Sequence, residues 1–230
     1  MKIEPAIQTK AKEISLRFIV VFGVFLLALL LFGIIADEMV IENENQWDYV
    51  VFQKLAAITH PSVTRIMLFI TFFGSVYFLL PAYILLAGFF LFFKKRRKLS
   101  LDVAAVGITS SILLFSLKDL FHRQRPMHPL VSKVHGFSFP SGHSFSSFTF
   151  SGLLIYILWN LEISPVWRWI STILSFLFAC IIAFSRVYLH VHFASDVIAG
   201  FCLCIIWLSL SFWLIKKFSR KLPRMLCFIV

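Results

Sequence analysis

Long apolar runs dominate this chain, and short polar stretches punctuate them. The first run covers residues 16–36, with Arg17 as its single charge. About 20 apolar residues suffice to cross the hydrocarbon core of a bilayer, where a helix satisfies its own backbone groups. The run is too long for a signal-peptide core and no clear small-residue cleavage site follows, so it reads as a transmembrane helix. Residues 37–60 are a polar connection bearing Asp37, Glu38, Glu42, Glu44 and Asp48. Pro61-Ser62 opens a second span reaching about residue 93. That is longer than a bilayer needs and predicts tilt or a bend at Pro81. The basic cluster 94–98 stops it. Further spans are expected at about 101–121, 143–160, 166–184 and 191–215, joined by the polar loop 122–139 and the short links 161–165 and 185–190. No internal repeat or low-complexity linker interrupts them.

The pattern predicts an all-α polytopic membrane protein, a bundle of six transmembrane helices forming one domain over residues 1–230. Composition agrees: 60% of the chain is hydrophobic and 14% charged, against about 45–50% and about 25% in soluble domains. Cys180, Cys202, Cys204 and Cys227 lie in apolar segments or the tail, and read as buried apolar residues rather than a disulfide framework or metal site.

The net charge of +11 raises nucleic acid as a partner, but its distribution argues against that. Fifteen of the 22 Lys and Arg fall on one side of a six-span topology: at 2, 10, 12 and 17, in the cluster 94–98, at Arg168, and in the tail. Seven fall on the other: Lys54, Arg65, Lys118, Arg123, Arg125, Lys133 and Arg186. The positive-inside rule then places both termini in the cytoplasm, with the acidic loop outside.

This topology gathers unusual residues at the outer face. Lys118 and Asp119 end the third span, and Arg125-Pro126 follow. His143 begins the fourth span, Ser185-Arg186 end the fifth, and His192 and Asp196 start the sixth. Ionisable residues at membrane depth are costly and mark function by default. Any one of them could be an interfacial residue or a snorkelling cation; the whole set in register is better explained by a site. His192 and Asp196 are four apart and share a face if helical, so the carboxylate can hold one imidazole nitrogen and leave the other free to attack. Ser141 is a candidate N-cap, and Gly142 allows close approach to a helix N-terminus, a natural anion site. Lys118, Arg125 and Arg186 suit a tetrahedral oxyanion. The constellation reads as phosphoryl transfer through a histidine. Two histidines and a carboxylate could bind zinc, but three surrounding cations argue against a metal.

At these residues the chain resembles the type 2 phosphatidic acid phosphatase (PAP2) superfamily. Its three motifs read here as Lys118…Arg125-Pro126, Pro140-Ser141-Gly142-His143, and Ser185-Arg186…His192…Asp196, all without departure. The resemblance implies the six-helix plan of the PAP2/haloperoxidase type, His192 as a nucleophile forming a phosphohistidine, and Asp196 orienting it. It also implies His143 as the general acid and base, Lys118, Arg125, Arg186, Ser141, Gly142 and Ser185 as phosphate ligands, and no metal or other cofactor. Opposite protonation states of the two histidines predict a bell-shaped pH profile. Similar bacterial proteins act on phosphatidylglycerophosphate, undecaprenyl diphosphate, phosphatidic acid or lipid A phosphates. A lipid phosphatase of the bacterial cytoplasmic membrane, with its site facing outside, is therefore expected, and the loop 125–139 should discriminate among headgroups. A lipid-linked phosphotransferase would use the same intermediate, and a non-enzymatic lipid transporter would need the cations alone. The soluble vanadium haloperoxidases share the anion-binding motifs, but six spans argue against that activity. His122, Arg123, His128 and Lys133 read as loop residues, with contact to the lipid headgroup as a second reading. His135 and His190 match no motif position, and His60 reads as structural.

Overall fold

The computed structural model describes residues 4–42, 44–131 and 134–221, with side chains placed for 16, 18–42, 44–131 and 134–217. The charges at positions 2, 10, 12, 17, 133, 220, 221 and 224, and Cys227, lie outside the described side chains. The regular elements among the described residues are all helices, with no strand. In chain order the helices are α1 (Glu4–Ile35), α2 (Gln46–Ala56), α3 (Pro61–Phe72), α4 (Val76–Gly88), α5 (Arg97–Phe121), α6 (Gly142–Trp159), α7 (Pro165–Tyr188) and α8 (Ala194–Lys221). Single π-helical stretches extend α1 through Ala36–Ile41 and α4 through Phe89–Phe93.

Five segments are long and apolar enough to cross a membrane: Phe18–Ile41, Pro61–Phe93, Arg97–Phe121, Pro165–Tyr188 and Ala194–Lys217. Their outer faces are apolar, with Phe18, Leu30, Phe69, Leu85, Phe115 and Leu174 all exposed, as a lipid-facing surface requires. Helix α6 has 18 residues, but its first ten hold four serines and a threonine besides His143. It therefore falls short of the apolar content of the other spans. It is also the most enclosed helix, packing on α5, α7 and α8 and burying Ser144, Phe145, Ser147, Phe148, Thr149, Ser151, Leu153 and Ile157.

Two expectations from the pattern of apolar residues are corrected. The connection 37–60 is not simply a polar loop: the first helix continues to Ile41, and α2 follows. The second span breaks at residues 73–75, not at Pro81, which α4 accommodates. The cause is the close packing of Gly74. A Cβ there would lie 2.5 Å from Ile182 Cγ2 and 3.2 Å from His143 Cδ2. The chain thus passes tightly between α6 and α7, with α3 packing on α7 and α4 on α5. Pro81 sits in the second turn of α4, where it withholds one N–H from the Tyr77 carbonyl but the helix continues past it to Gly88.

The helix ends converge at one side of the bundle. Helix α5 stops when His122 adopts a left-handed conformation (φ 50°) and its N–H donates to the Lys118 carbonyl at 3.2 Å, a common C-terminal stop. Helix α6 starts at Ser141, whose hydroxyl accepts from the Ser144 N–H at 3.4 Å. The backbone N–H of Ser141 donates to the Asp196 carbonyl at 3.1 Å, tying the starts of α6 and α8 together. The crossing is close because Gly200 has no side chain: a Cβ there would meet Ser141 O at 3.0 Å.

Candidate active site

A cavity of about 380 Å³ opens where these ends meet, and Lys118, Arg125, Gly142, His143, Arg186 and His192 line it. Val131, Val134 and His135 complete its wall from the long loop. Val131 and Val134 pack on Tyr188, Leu189 and Val191, and the Leu130 N–H donates to the Leu189 carbonyl at 3.0 Å. The loop is therefore part of the chamber. No carboxylate is among the described residues lining the cavity.

Each cation is held by neutral groups, which keeps its charge uncompensated. Lys118 Nζ donates to the Phe137 carbonyl at 2.7 Å. Arg125 donates from Nε to the Gly136 carbonyl at 2.9 Å, from Nη1 to the Val191 carbonyl at 2.7 Å, and from Nη2 to the His135 carbonyl at 3.2 Å. Arg186 Nη1 donates to Thr71 Oγ1 at 2.7 Å, while its buried Nε has no hydrogen-bond partner among the described residues. A buried donor without a partner is costly, and an anion in the cavity would satisfy it. Burial lowers the pKa of Arg125, with Asp196 opposing.

His192 lies in the link between α7 and α8, just before the first turn of α8. Its pairing with Asp196 therefore differs from the shared helix face that the spacing suggested. The link curls back, with the N–H groups of Val191 and His192 donating to the Arg186 carbonyl at 3.2 and 3.3 Å. His192 Nδ1 then lies 3.4 Å from Asp196 Oδ2. The opposite nitrogen, Nε2, faces the cavity 3.2 Å from Arg125 Nη1. A guanidinium only donates, so Nε2 is the acceptor and Nδ1 carries the proton. Burial pushes the His192 pKa down to about 3 despite the bond to Asp196. The imidazole is thus neutral at physiological pH, with a lone pair directed at the cation cluster.

The structure brings Lys118, Arg125, Gly142, His143, Arg186 and His192 to one chamber, with Asp196 behind His192. Two expected phosphate ligands are not presented to it. Ser185 is fully buried and donates its hydroxyl to the Ile182 carbonyl at 2.6 Å. Ser141 is equally buried and caps α6. Asp119 is exposed on α5. His122 and His128 are exposed, and His190 packs on Phe52 with tilted rings whose centres are 4.6 Å apart. His60 caps α3 and its backbone N–H donates to the Tyr188 hydroxyl at 3.1 Å. Among the described residues, no group of three or more His, Cys, Asp or Glu could hold a metal ion.

Arg123 lies in the loop, as read, but not at its surface. It does not reach a headgroup but is 6% exposed, bridging Asp48 at 3.0 Å and Asp196 at 2.6 Å. Asp48, from the supposed loop, is wholly buried on α2. Ser138 is also buried and donates to Asp196. Sequence reasoning missed all three. No local signal marks Asp48 as buried: an acidic residue in a polar stretch reads as exposed.

Residues 98–220 match the PAP2 superfamily. Phosphatidylglycerophosphatase B of Bacillus subtilis is 32% identical over 200 residues, covering 86% of this chain and 96% of that protein. An undecaprenyl-diphosphatase of Sulfolobus acidocaldarius is 30% identical over 149 residues, covering 62% of this chain and 66% of that protein. The crystal structure of a transmembrane PAP2-type phosphatidylglycerolphosphate phosphatase from Bacillus subtilis superposes with a TM-score of 0.74 at 30% identity, covering 87% of this chain and 98% of that one. The chain belongs to the PAP2 superfamily. It is a multi-pass membrane phosphatase of that type.

Proposed function

We propose that this protein removes a terminal phosphate from a membrane lipid, phosphatidylglycerophosphate or undecaprenyl diphosphate before phosphatidic acid, through a phosphohistidine on His192. The observation that carries the reading is the neutral His192, with Nδ1 on Asp196 and Nε2 directed at Arg125 in a cavity with two further cations. Lys118, Arg125 and Arg186 bind the phosphate oxygens, and the Gly142 backbone at the α6 N-terminus adds donors. His192 Nε2 attacks phosphorus and the bond to the leaving oxygen breaks. His143 gives that oxygen its proton. His143 then takes a proton from water, whose oxygen attacks the phosphohistidine, releasing phosphate and restoring His192. No step needs a metal.

The whole chain forms one membrane domain of six crossings, with α6 as the crossing that is polar at its start because it carries site residues. Both termini face the cytoplasm, and the cavity opens at the outer headgroup level of a bacterial cytoplasmic membrane. The charge distribution supports this orientation. The lipid tails stay in the bilayer while the headgroup occupies the cavity. A phosphate-release panel over the three lipids, with His192→Ala as control, tests the reading. Release from at least one lipid, abolished in the variant, is expected; no release from any by folded protein would overturn it.

A further inference from the structure

Of the signature residues, His192 alone meets the Asp196 carboxylate, at one oxygen. Oδ2 receives the Phe193 N–H at 2.9 Å, the Ser138 hydroxyl, and His192 Nδ1 at 3.4 Å. The other oxygen, Oδ1, receives Arg123 Nη1 at 2.6 Å. A carboxylate attached through a single bond rotates unless both oxygens are held. The long His192 contact is the one that rotation would lose first. Arg123 therefore fixes the plane that aims Oδ2 at His192.

Arg123 is itself fixed from outside the signature. Its Nη2 donates to Asp48 Oδ2 at 3.0 Å and to Asn45. Its guanidinium carbon lies 4.2 Å from the centre of the Phe193 ring. Asp48 also receives the Ser195 N–H at 2.9 Å and the Ser195 hydroxyl at 2.5 Å, which anchors the first turn of α8. Helix α2 is held in place by Phe52, packed 5.8 Å from Phe193 between ring centres. Asp48, Arg123, Ser195 and Asp196 are all nearly or wholly excluded from solvent. At that depth a guanidinium bridging two carboxylates leaves one net negative charge behind His192. Attack by Nε2 places positive charge on the imidazole ring, and a fixed negative charge behind it is complementary to that change.

We propose that Arg123, held by Asp48 of α2, is a positioning residue that aligns Asp196 on His192, so that the reacting apparatus extends beyond the three signature motifs. The proposal rests on His192 being the nucleophile. Its competitor is a buried ion-pair network that only pins α2 to α8.

The test uses the full-length protein in detergent, p-nitrophenyl phosphate as a water-soluble ester, and inorganic phosphate as a competitive inhibitor. Arg123→Gln and Asp48→Asn are each expected to lower kcat about 10- to 100-fold, the range for residues that orient a reacting group through another. KM and the phosphate inhibition constant should stay within about twofold, because the three cavity cations are untouched. Arg123→Lys should recover part of the loss. Folded variants with wild-type kcat and a lower melting temperature would overturn the proposal. So would kcat and phosphate affinity falling together, or failure of all three variants to fold, which would identify the network as structural. A wild-type chain that is as silent as His192→Ala contradicts the phosphatase reading instead, and the two failures are thereby separated.

Discussion

Two charged regions lie back to back at the converging helix ends, and they obey opposite rules. In the cavity, Lys118, Arg125 and Arg186 stand together with no carboxylate among the described lining residues. Behind His192, Arg123 sits between Asp48 and Asp196. Arg123 and Arg125 are two residues apart in one loop, yet one is neutralised and the other is not. The difference separates a cation without a carboxylate partner from one bridged by two. A buried cation beside carbonyls alone retains its attraction for an anion. A buried cation between two carboxylates has little left for a ligand, but its removal strands charge in a dry interior.

The largest expected effect sits on the boundary between the regions. His192→Ala removes the proposed nucleophile, and should reduce turnover at least about 10³-fold while phosphate still competes for the cavity. Next is the cavity itself. Arg186→Ala should lower kcat/KM about 10²-fold or more, the usual loss for a donor to developing charge. Arg125→Lys should recover little at its site, since an ammonium cannot reproduce three separate carbonyl contacts and the approach to His192. Asp48→Ala probes the opposite region, and thermal unfolding should show it. Loss of one partner of the buried pair, with the Ser195 N–H left without its acceptor, is expected to cost about 3–5 kcal/mol, or a fall in Tm of roughly 6–20 °C for a chain of this size. The same variant should leave phosphate affinity nearly unchanged, unlike Arg186→Ala. Gly74→Ala should cost about 1–3 kcal/mol through overpacking, with turnover falling because the added carbon presses on His143 as well as Ile182.

The pH profile separates the two histidines with a smaller change. His192 is pushed down to about 3, so it stays neutral above that value and loses its lone pair only as pH falls through it. The acid limb of kcat/KM attributable to the nucleophile therefore belongs near pH 3 rather than in the ordinary histidine range. The alkaline limb reports loss of the proton that His143 must donate. A nucleophile limb near pH 6.5, where an unperturbed histidine titrates, would contradict the burial of His192.

What the sequence made legible follows from where each constraint resides. Five of the expected spans could be read because a bilayer demands long apolar runs, and motif spacing had already singled out Lys118, Arg125, Gly142, His143, Arg186 and His192, which line one cavity. The break at 73–75 could not be read. It depends on Gly74 meeting Ile182 and His143, residues far apart in the chain, whereas Pro81 was the local cue that the apolar pattern pointed to. Asp48 and Arg123 were illegible for a similar reason. Each is a surface charge by local pattern, and only their meeting across 75 positions makes them interior. His192 and Asp196 were paired correctly for an incomplete reason: a curled link, rather than a helix face, brings them together.

The most direct measurement is to trap the phosphorylated protein by rapid acid-free quench during turnover and locate the phosphorus. The account predicts an acid-labile phosphate on Nε2 of His192, present in wild type and absent from His192→Ala. A turning-over enzyme with no phosphorylated intermediate, or one that still carries the label in His192→Ala, would contradict it.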